Sequence, residues 1–427
     1  MDAKTIALVL FLLTYVCLLV FTNARAFIAL GSALIFVILG LSGILPTYDY
    51  LGEIDWNVIM MIAGTMGVVS LFIESKMPSK LADFIIAKVP NVKWAMIALA
   101  LFAGIISAFV DNVATVLMVA PVALTIAKKL KMSPVPSIIA IAISSNLQGA
   151  ATLVGDTTSI LLGGEANMNF LEFFWYKGKP SIFWAVEIGA IATILILLWL
   201  FREYKQSVKS MDKTVVTDYF PTVLLVGIIV LLILASFIED KPDITNGLIC
   251  VGLLIIGLIR KFIITKDKNT LIDVLKDIDY TTIGLLAGLF VLIGGIKQVG
   301  VIDDIGGLFV KVGGDNLFVI YTLIVWASVA ISAVIDNIPY VATMLPVVTS
   351  IAATMGIDPT ILYFGLLIGA TLGGNITPIG ASANIAGIGI LRKEGHEVST
   401  KEFMKISVPF TLTAVITGYI LIWFIWA

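Results

Sequence analysis

The sequence predicts an all-α polytopic membrane protein made of two inverted-topology repeats with re-entrant hairpins and interrupted helices. Three observations predict it. Hydrophobic residues fill 59% of the 427 positions and charged ones only 13%, against about 25% charged in an ordinary soluble protein. Lysine and arginine gather in a few short connectors. An Asp-Asn pair inside apolar sequence occurs twice, in "FVDNVATVLMVAP" from Phe109 and in "VIDNIPYVATMLP" from Val334, 225 positions apart.

Runs long enough to cross a bilayer, roughly 17 to 25 residues, lie at 5–21, 27–44, 181–201, 220–238, 247–259 with its flanks, 281–296 and 406–426. The first run lacks a basic leader and a small-residue cleavage site, and a second follows almost at once. It reads as a retained helix, not a signal peptide. Positions 1–50 are assigned to N-terminal scaffold helices. Positions 51–201 form a first repeat, with a hairpin tip near 111 and a broken helix over 145–160. Connecting loops and further scaffold helices occupy 202–270. A second repeat covers 271–427, with a tip near 336 and a broken helix over 371–385.

Basic residues concentrate in cytoplasmic loops. The connectors 76–93, 128–131, 202–213, 260–276 and 392–405, together with Arg25, hold 21 of the 27 Lys and Arg residues. Alternating spans bring these loops to one side only if 92–127 and 316–354 each enter and leave on the same face. That geometry puts Asp111-Asn112 and Asp336-Asn337 at hairpin tips within the membrane and the N-terminus outside. An inner or plasma membrane is the expected location.

The second half repeats the first at the 225 offset. Ser107, Pro121 and Pro134 match Ser332, Pro346 and Pro359; Gly149, Thr152, Gly155 and Ile160 match Gly374, Thr377, Gly380 and Ile385. "EIDW" before the first half resembles "DIDY" before the second, one position out of register. The first repeat begins outside, at the acidic loop "PTYDYLGEID", and the second inside, after "RKFIITKDK". The halves are therefore expected to be inverted, an architecture of secondary transporters, whose sites lie where the repeats meet.

Each repeat carries a glycine-rich break, "SSNLQGAATLVGDTTSILLGG" from Ser144 and "GATLGGNITPIGASANIAG" from Gly369. Non-helical backbone at membrane depth is tolerated only where protein or a water-filled cavity satisfies it. The freed carbonyls can coordinate a cation, and helix N-termini attract an anion. No Gly-Lys-Ser/Thr ending follows, which argues against a phosphate loop.

Two readings stand for Asp111 and Asp336. Each can cap the returning half-helix, or mark an ion path, since a charge at the centre of a span costs roughly 2.5–3.5 kcal/mol even on insertion scales. Asn112 or Asn337 would cap as well, so capping does not require the charge. Asp156 faces only Ala381 in the other repeat; it is either a third ion-handling carboxylate or a group near the water interface. Asn375 is likewise unmatched, opposite Ala150. Glu187 reads as an interfacial or scaffold residue, Lys297 as a snorkelling span end, and His396, the only histidine, as a solvated loop residue. Cys17 and Cys250 lie in apolar runs and suggest neither disulfide nor metal site.

On these residues the sequence resembles the ion-transporter superfamily of arsenite permeases, NhaD-type Na⁺/H⁺ antiporters, the pigmentation P protein and citrate-type permeases. "GGNITPIGASANI", Gly373 to Ile385, is similar to the second signature of that branch, and "DNVATVLMVAP" to its first hairpin. The resemblance implies ion and substrate contacts at Asp111, Asn112, Thr115, Thr152, Gly155 and Asp156. In the second repeat it implies Asp336, Asn337, Asn375, Thr377, Gly380, Ser382 and Asn384. It implies Na⁺ near Asn112, Asn337 and the backbone at Gly155 and Gly380, a homodimer, and a transport unit moving as an elevator. One departure is clear: "TTSI" follows Asp156 where relatives carry a Pro-Pro-Asn-like run.

The expected function is ion-coupled secondary transport of a small inorganic ion or metalloid oxyacid, arsenite-like or Na⁺, in exchange for H⁺. The alternative is symport of a citrate- or dicarboxylate-type anion with Na⁺ or H⁺. Apart from Lys93 at the entry to the first hairpin, no Arg or Lys lies within the hairpins or breaks, which favours the first reading. No resident cofactor is expected beyond Na⁺ or H⁺ as coupling ion. The partners are the solute, the bilayer and a second copy of the chain; a net charge of −2 gives no reason to expect nucleic acid. An enzyme is not expected, because no intramembrane histidine is present to serve a nucleophile. A channel would show no accumulation against a gradient.

Overall fold

The computed structural model describes residues 2–207, 214–216, 218–314 and 316–427. Lys209 and Lys213 of the basic connector 202–213 lie outside the described residues. The described residues are almost wholly helical, apart from one two-residue antiparallel pairing, Trp175–Tyr176 with Lys179–Pro180. Among the described residues, nine helices are long and apolar enough to cross a membrane, or up to ten if one bent pair counts as a span.

In chain order, α1 (Ala3–Val20) and α2 (Arg25–Leu41) form an apolar pair. α3 (Trp56–Glu74) starts where Asp55 accepts from Val58 N–H at 2.9 Å. α4 (Met77–Ile86) is short, and α5 (Val92–Ser107) turns within four residues into α6 (Asn112–Lys129). α7 (Val135–Gly149) ends at the first glycine-rich break, and α8 (Thr157–Glu165) resumes beyond it. α9 (Ile182–Leu200), α10 (Phe220–Ala235), α11 (Thr245–Thr265) and the short α12 (Lys268–Lys276) lead to the second half.

There the order recurs: α13 (Tyr280–Gln298), α14 (Val301–Gly313), α15 (Leu317–Ser332) and α16 (Asn337–Met355). α17 (Thr360–Leu367) continues as a π turn over Ile368–Leu372 and a 3-10 turn over Gly374–Ile376 before the second break. α18 (Ser382–Lys393) and α19 (Thr400–Trp426) complete the chain. The starts of α5, α6, α7 and α8 recur 225 positions later in α15, α16, α17 and α18. α6 and α16, at 18 and 19 residues, are each about 27 Å long at 1.5 Å per residue, longer than a half-way arm requires.

The two helices that open the halves run antiparallel. The last turns of α3 (Met66, Ser70, Ile73) line the same cavity as the segment entering α13 (Asp277, Asp279, Thr282). The beginning of α3 (Asp55, Val58) and the end of α13 (Phe290, Ile293, Lys297) line another.

Burial is arranged as hydrocarbon solvent demands. α1, α2 and α10 expose large apolar side chains such as Leu13, Phe27, Leu41 and Val223. α7 buries every residue from Ser137 to Gly149, and α17 buries all of its residues. Much of the buried polar material sits where these two helices break, including Ser145, Asn146, Gln148, Thr152, Thr158, Thr371 and Asn375. Non-helical backbone is thus kept from lipid and supplied with side-chain partners.

Candidate functional site

Both hairpin tips end in an aspartate that caps the returning helix. Ala114 N–H donates to Asp111 Oδ1 at 3.0 Å, and Ile338 N–H to Asp336 Oδ1 at 3.1 Å. Capping is therefore a real role of each carboxylate, and it leaves one oxygen of each for other work.

Beneath the tips, the breaks are held by matched hydrogen bonds at the repeat offset. Thr152 donates to the Ala108 carbonyl, and Thr377 to the Ala333 carbonyl. Ser159 Oγ donates to Gly149 O at 3.3 Å, and Asn384 Nδ2 to Gly374 O at 3.1 Å. Gly155 and Gly380 sit against converging carbonyls. A Cβ on Gly155 would meet Gly149 O at 2.5 Å and Ala108 O and Ser107 O at 2.8 Å; one on Gly380 would meet Gly374 O, Ser332 O and Ala333 O at 2.6, 2.8 and 2.9 Å. Only glycine allows backbone to come this close.

Three buried amides join the halves. Asn112 Nδ2 donates to Asn146 Oδ1 at 2.9 Å; Asn146 Nδ2 donates to Thr371 O at 2.7 Å and Asn375 Oδ1 at 3.1 Å. Asn375 Nδ2 in turn reaches Ile143 O at 2.9 Å. Positions 146 and 371 are repeat equivalents in direct contact, separated by 225 residues. Asp156 caps α8 through Thr157 N–H at 2.8 Å and accepts from Thr158 Oγ1 at 3.0 Å, whose hydroxyl also meets that of Thr371 at 2.9 Å.

Over this framework lies a cavity of about 400 Å³, whose lining includes Ser70, Asp111, Asn112, Asp156, Asp277 and Asp279. Thr157, Asn337 and Ser382 complete its polar wall on the side of the breaks. It has four aspartates and, among its described lining residues, no Lys, Arg or His. Opposite the tips, Ser70 Oγ donates to Asp277 Oδ2 at 2.5 Å, and Thr282 donates to Asp279 through both N–H and hydroxyl, at 3.0 and 2.6 Å.

The sequence-predicted residues form two groups, with Thr115 and Asp336 outside both. Asp111, Asn112, Asp156, Asn337 and Ser382 line the cavity. Thr152, Gly155, Asn375, Thr377, Gly380 and Asn384 form the packing and hydrogen bonds of the breaks. Thr115 is buried with its hydroxyl unpartnered among the described residues, and so is Asn384 Oδ1. Asp336 stands apart: its Oδ2 accepts from Arg25 Nη1 at 2.8 Å, in a small cleft lined by Tyr15, Leu18, Leu19, Ile335 and Pro339. No basic residue lies at the hairpin tips or in the breaks themselves, but Arg25 reaches one tip from the start of α2. Sequence reasoning also missed Asn146 and Thr371 in the breaks and Ser70, Asp277, Asp279 and Thr282 across the cavity.

Among the described residues, no three His, Cys, Asp or Glu side chains are grouped to hold a metal ion. A hard cation such as Na⁺, which takes carbonyl and amide oxygens, would find donors instead at the breaks: the carbonyls around Gly155 and Gly380 and the unpartnered Asn384 Oδ1.

A multi-pass helical fold whose interrupted helices meet under an acidic cavity defines a secondary transporter of the membrane. Residues 8–369 match the citrate transporter family, CitMHS, and the chain belongs to it. An uncharacterised transporter of Mycobacterium tuberculosis is 30% identical over 428 residues, covering 98% of each chain. The P protein of Homo sapiens is 26% identical over 477 residues, covering 91% of this chain and 56% of that protein. The YdaH transporter of Alcanivorax borkumensis has a similar fold, with a TM-score of 0.59 at 14% identity over 91% of this chain and 88% of that one.

Proposed function

We propose that the chain exchanges H⁺ for a small cation, or for a neutral metalloid acid travelling with one, through the cavity beneath the two hairpin tips. The observation that carries this reading is the charge of the lining, four aspartates with no opposing Lys, Arg or His among the described residues there. Carboxylates removed from bulk water need a proton or a cation to neutralise them. Taking up one in place of the other at Asp111 and Asp156 is what couples the two fluxes. Asn112, Asn337, Thr157 and Ser382 supply neutral ligands beside them. The carbonyl clusters at Gly155 and Gly380 are the proposed Na⁺ positions.

Movement in this reading is an elevator within a homodimer: the hairpins and breaks travel as a unit past α3 and α13. An inverted arrangement of the two repeats is part of that picture. The antiparallel course of α3 and α13, and the contact of Asn146 with its own repeat equivalent Thr371, are what a two-fold axis in the membrane plane would produce. The N-terminus then lies outside, in an inner or plasma membrane.

A second reading, symport of a citrate-type carboxylate, is favoured by the family match. The lining requires such an anion to arrive with cations, because the four aspartates would otherwise repel it. Proteoliposomes carrying a pH dye distinguish the readings when Na⁺, Li⁺, arsenite, silicic acid, citrate, and citrate with a divalent cation are added in turn. Proton movement on Na⁺, Li⁺ or metalloid addition alone supports exchange; movement only with citrate replaces it by the second reading.

A further inference from the structure

Asp111 and Asp336 are equivalent in sequence and both cap a returning helix, yet their free oxygens face different surroundings. Asp111 lines the main cavity. Asp336 is turned to Arg25 and is absent from that lining, although its neighbours Asn337 and Ile338 belong to it. The Asp336 side chain is only 7% exposed and that of Arg25 18%. Both charges are therefore largely out of water, where an unpaired partner is strongly unfavourable. Arg25 is the only charged residue between Lys4 and Asp49; Lys4, at the start of α1, pairs with Asp304, and the one further cation of this apolar helix pair is brought to the Asp336 carboxylate. Tyr15, one helix earlier, donates to Pro339 O at 2.8 Å and meets the Thr343 hydroxyl. The guanidinium thus approaches along a fixed surface of α16.

We infer that Arg25 is a tethered counter-cation, occupying at the second hairpin tip the place an exchangeable cation takes at the first, so that Asp336 is excluded from exchange. The inference rests on the cation-exchange reading above and deepens it: charge exchange belongs to Asp111 and Asp156, and Arg25 sets how many charges move per cycle. A guanidinium suits this role because it remains protonated at any physiological pH. Arg25 acts through Asp336 and is a positioning residue. A merely structural ion pair would affect stability and rate but not the ratio of charges moved.

The test is the proton-to-Na⁺ ratio, read from reversal potentials in proteoliposomes, for wild type, R25Q, D336N and R25Q/D336N. R25Q leaves Asp336 without its cation; with the Na⁺ positions unchanged the freed carboxylate is neutralised by a proton on one face and releases it on the other, so the expected H⁺:Na⁺ ratio rises by one proton per cycle. D336N strands the guanidinium, and flux is expected to fall by about tenfold or more. The double variant removes both charges and is expected to regain flux and the wild-type ratio. Thermal midpoints of the detergent-solubilised full-length protein should show the same pattern, each single variant lowered and the double restored. An unchanged ratio in R25Q overturns the inference. So does a double variant that is monodisperse on size exclusion yet as inactive as D336N, since Asp336 would then itself be an exchanging ligand. If R25Q flux is too low to measure, the double variant decides. If Na⁺ moves no protons even in wild type, the exchange reading fails on its own, and the midpoints still report whether 25 and 336 are coupled.

Discussion

Replacing Asp111 by Asn separates the two roles its carboxylate holds. The cap is one hydrogen bond, Ala114 N–H to Oδ1 at 3.0 Å, and Asn is as good an N-cap as Asp. Folding stability should therefore change by no more than a few tenths of a kcal/mol, whereas Asp111→Ala should lose the cap and about 1 kcal/mol. The negative charge has no substitute in Asn. Removing one member of a desolvated charge pair costs roughly 2–5 kcal/mol, so apparent affinity for the coupling cation should fall roughly 30-fold to several thousand-fold, at about 1.4 kcal/mol per tenfold. The assay pairs cation-dependent proton flux in proteoliposomes with the thermal midpoint in detergent. Expected results are a wild-type midpoint and lost coupling for Asn, and a lowered midpoint with lost coupling for Ala. Coupling at wild-type cation concentrations in Asp111→Asn refutes the assigned role and leaves the residue as a cap.

Gly155→Ala and Gly380→Ala each push a methyl against three backbone carbonyls at 2.5–2.9 Å, and overpacking of this kind costs about 1–3 kcal/mol; both should lower the thermal midpoint, and an unchanged midpoint in either would mean the break relaxes freely. Asp277→Asn and Asp279→Asn remove exposed charges on the cavity wall facing the tips. They should weaken apparent cation affinity by roughly twofold to fivefold at low salt and have little effect at high ionic strength, because exposed charges steer and are screened. Asp218, in the connector before α10, accepts two hydrogen bonds from Arg260, which hold its carboxyl below the usual carboxylate range. A depressed folded value stabilises at neutral pH and is lost as pH falls through it, so the wild-type midpoint should drop below about pH 4 by slightly more than that of Asp218→Asn; the reverse order would contradict the sign.

The tips and breaks were legible because the solvent is hydrocarbon. A carboxylate or a run of glycine and hydroxyl residues inside apolar sequence needs a structural reason there, and its recurrence at one offset removes chance. The 225 spacing pairs Thr152 with Thr377 and Gly155 with Gly380, and both pairs make matched contacts. Arg25 was legible as an isolated charge but not as a partner, since 311 residues separate it from Asp336 and only tertiary packing joins them. Asp277 and Asp279 stood in the sequence as a marker of where the second half begins, "DIDY". Their place on the cavity wall depends on α3 and α13 running antiparallel. Asn146 carried a signal of its own: an amide in the last turn of a helix buried on all sides must find partners, and it finds three.

The hydrogen bonds that shape the breaks repeat; the charges around them do not. Asp156 has Ala381 as its equivalent, and the cavity-facing Asp111 has the ion-paired Asp336. Capping alone does not explain why the second tip keeps an aspartate, because Asn at 336 would bond Ile338 N–H equally well and would leave no charge for Arg25 to answer. Keeping both charges is costly in a low-dielectric setting unless the pair does something an amide cannot. What it does here is join α2 to a hairpin tip with a bond that is strong only while both groups remain in place. If the hairpins and breaks move as the proposed unit, they must either carry Arg25's head group with them or exchange that contact for another at each stroke, and either requirement would make the pair part of the transport cycle.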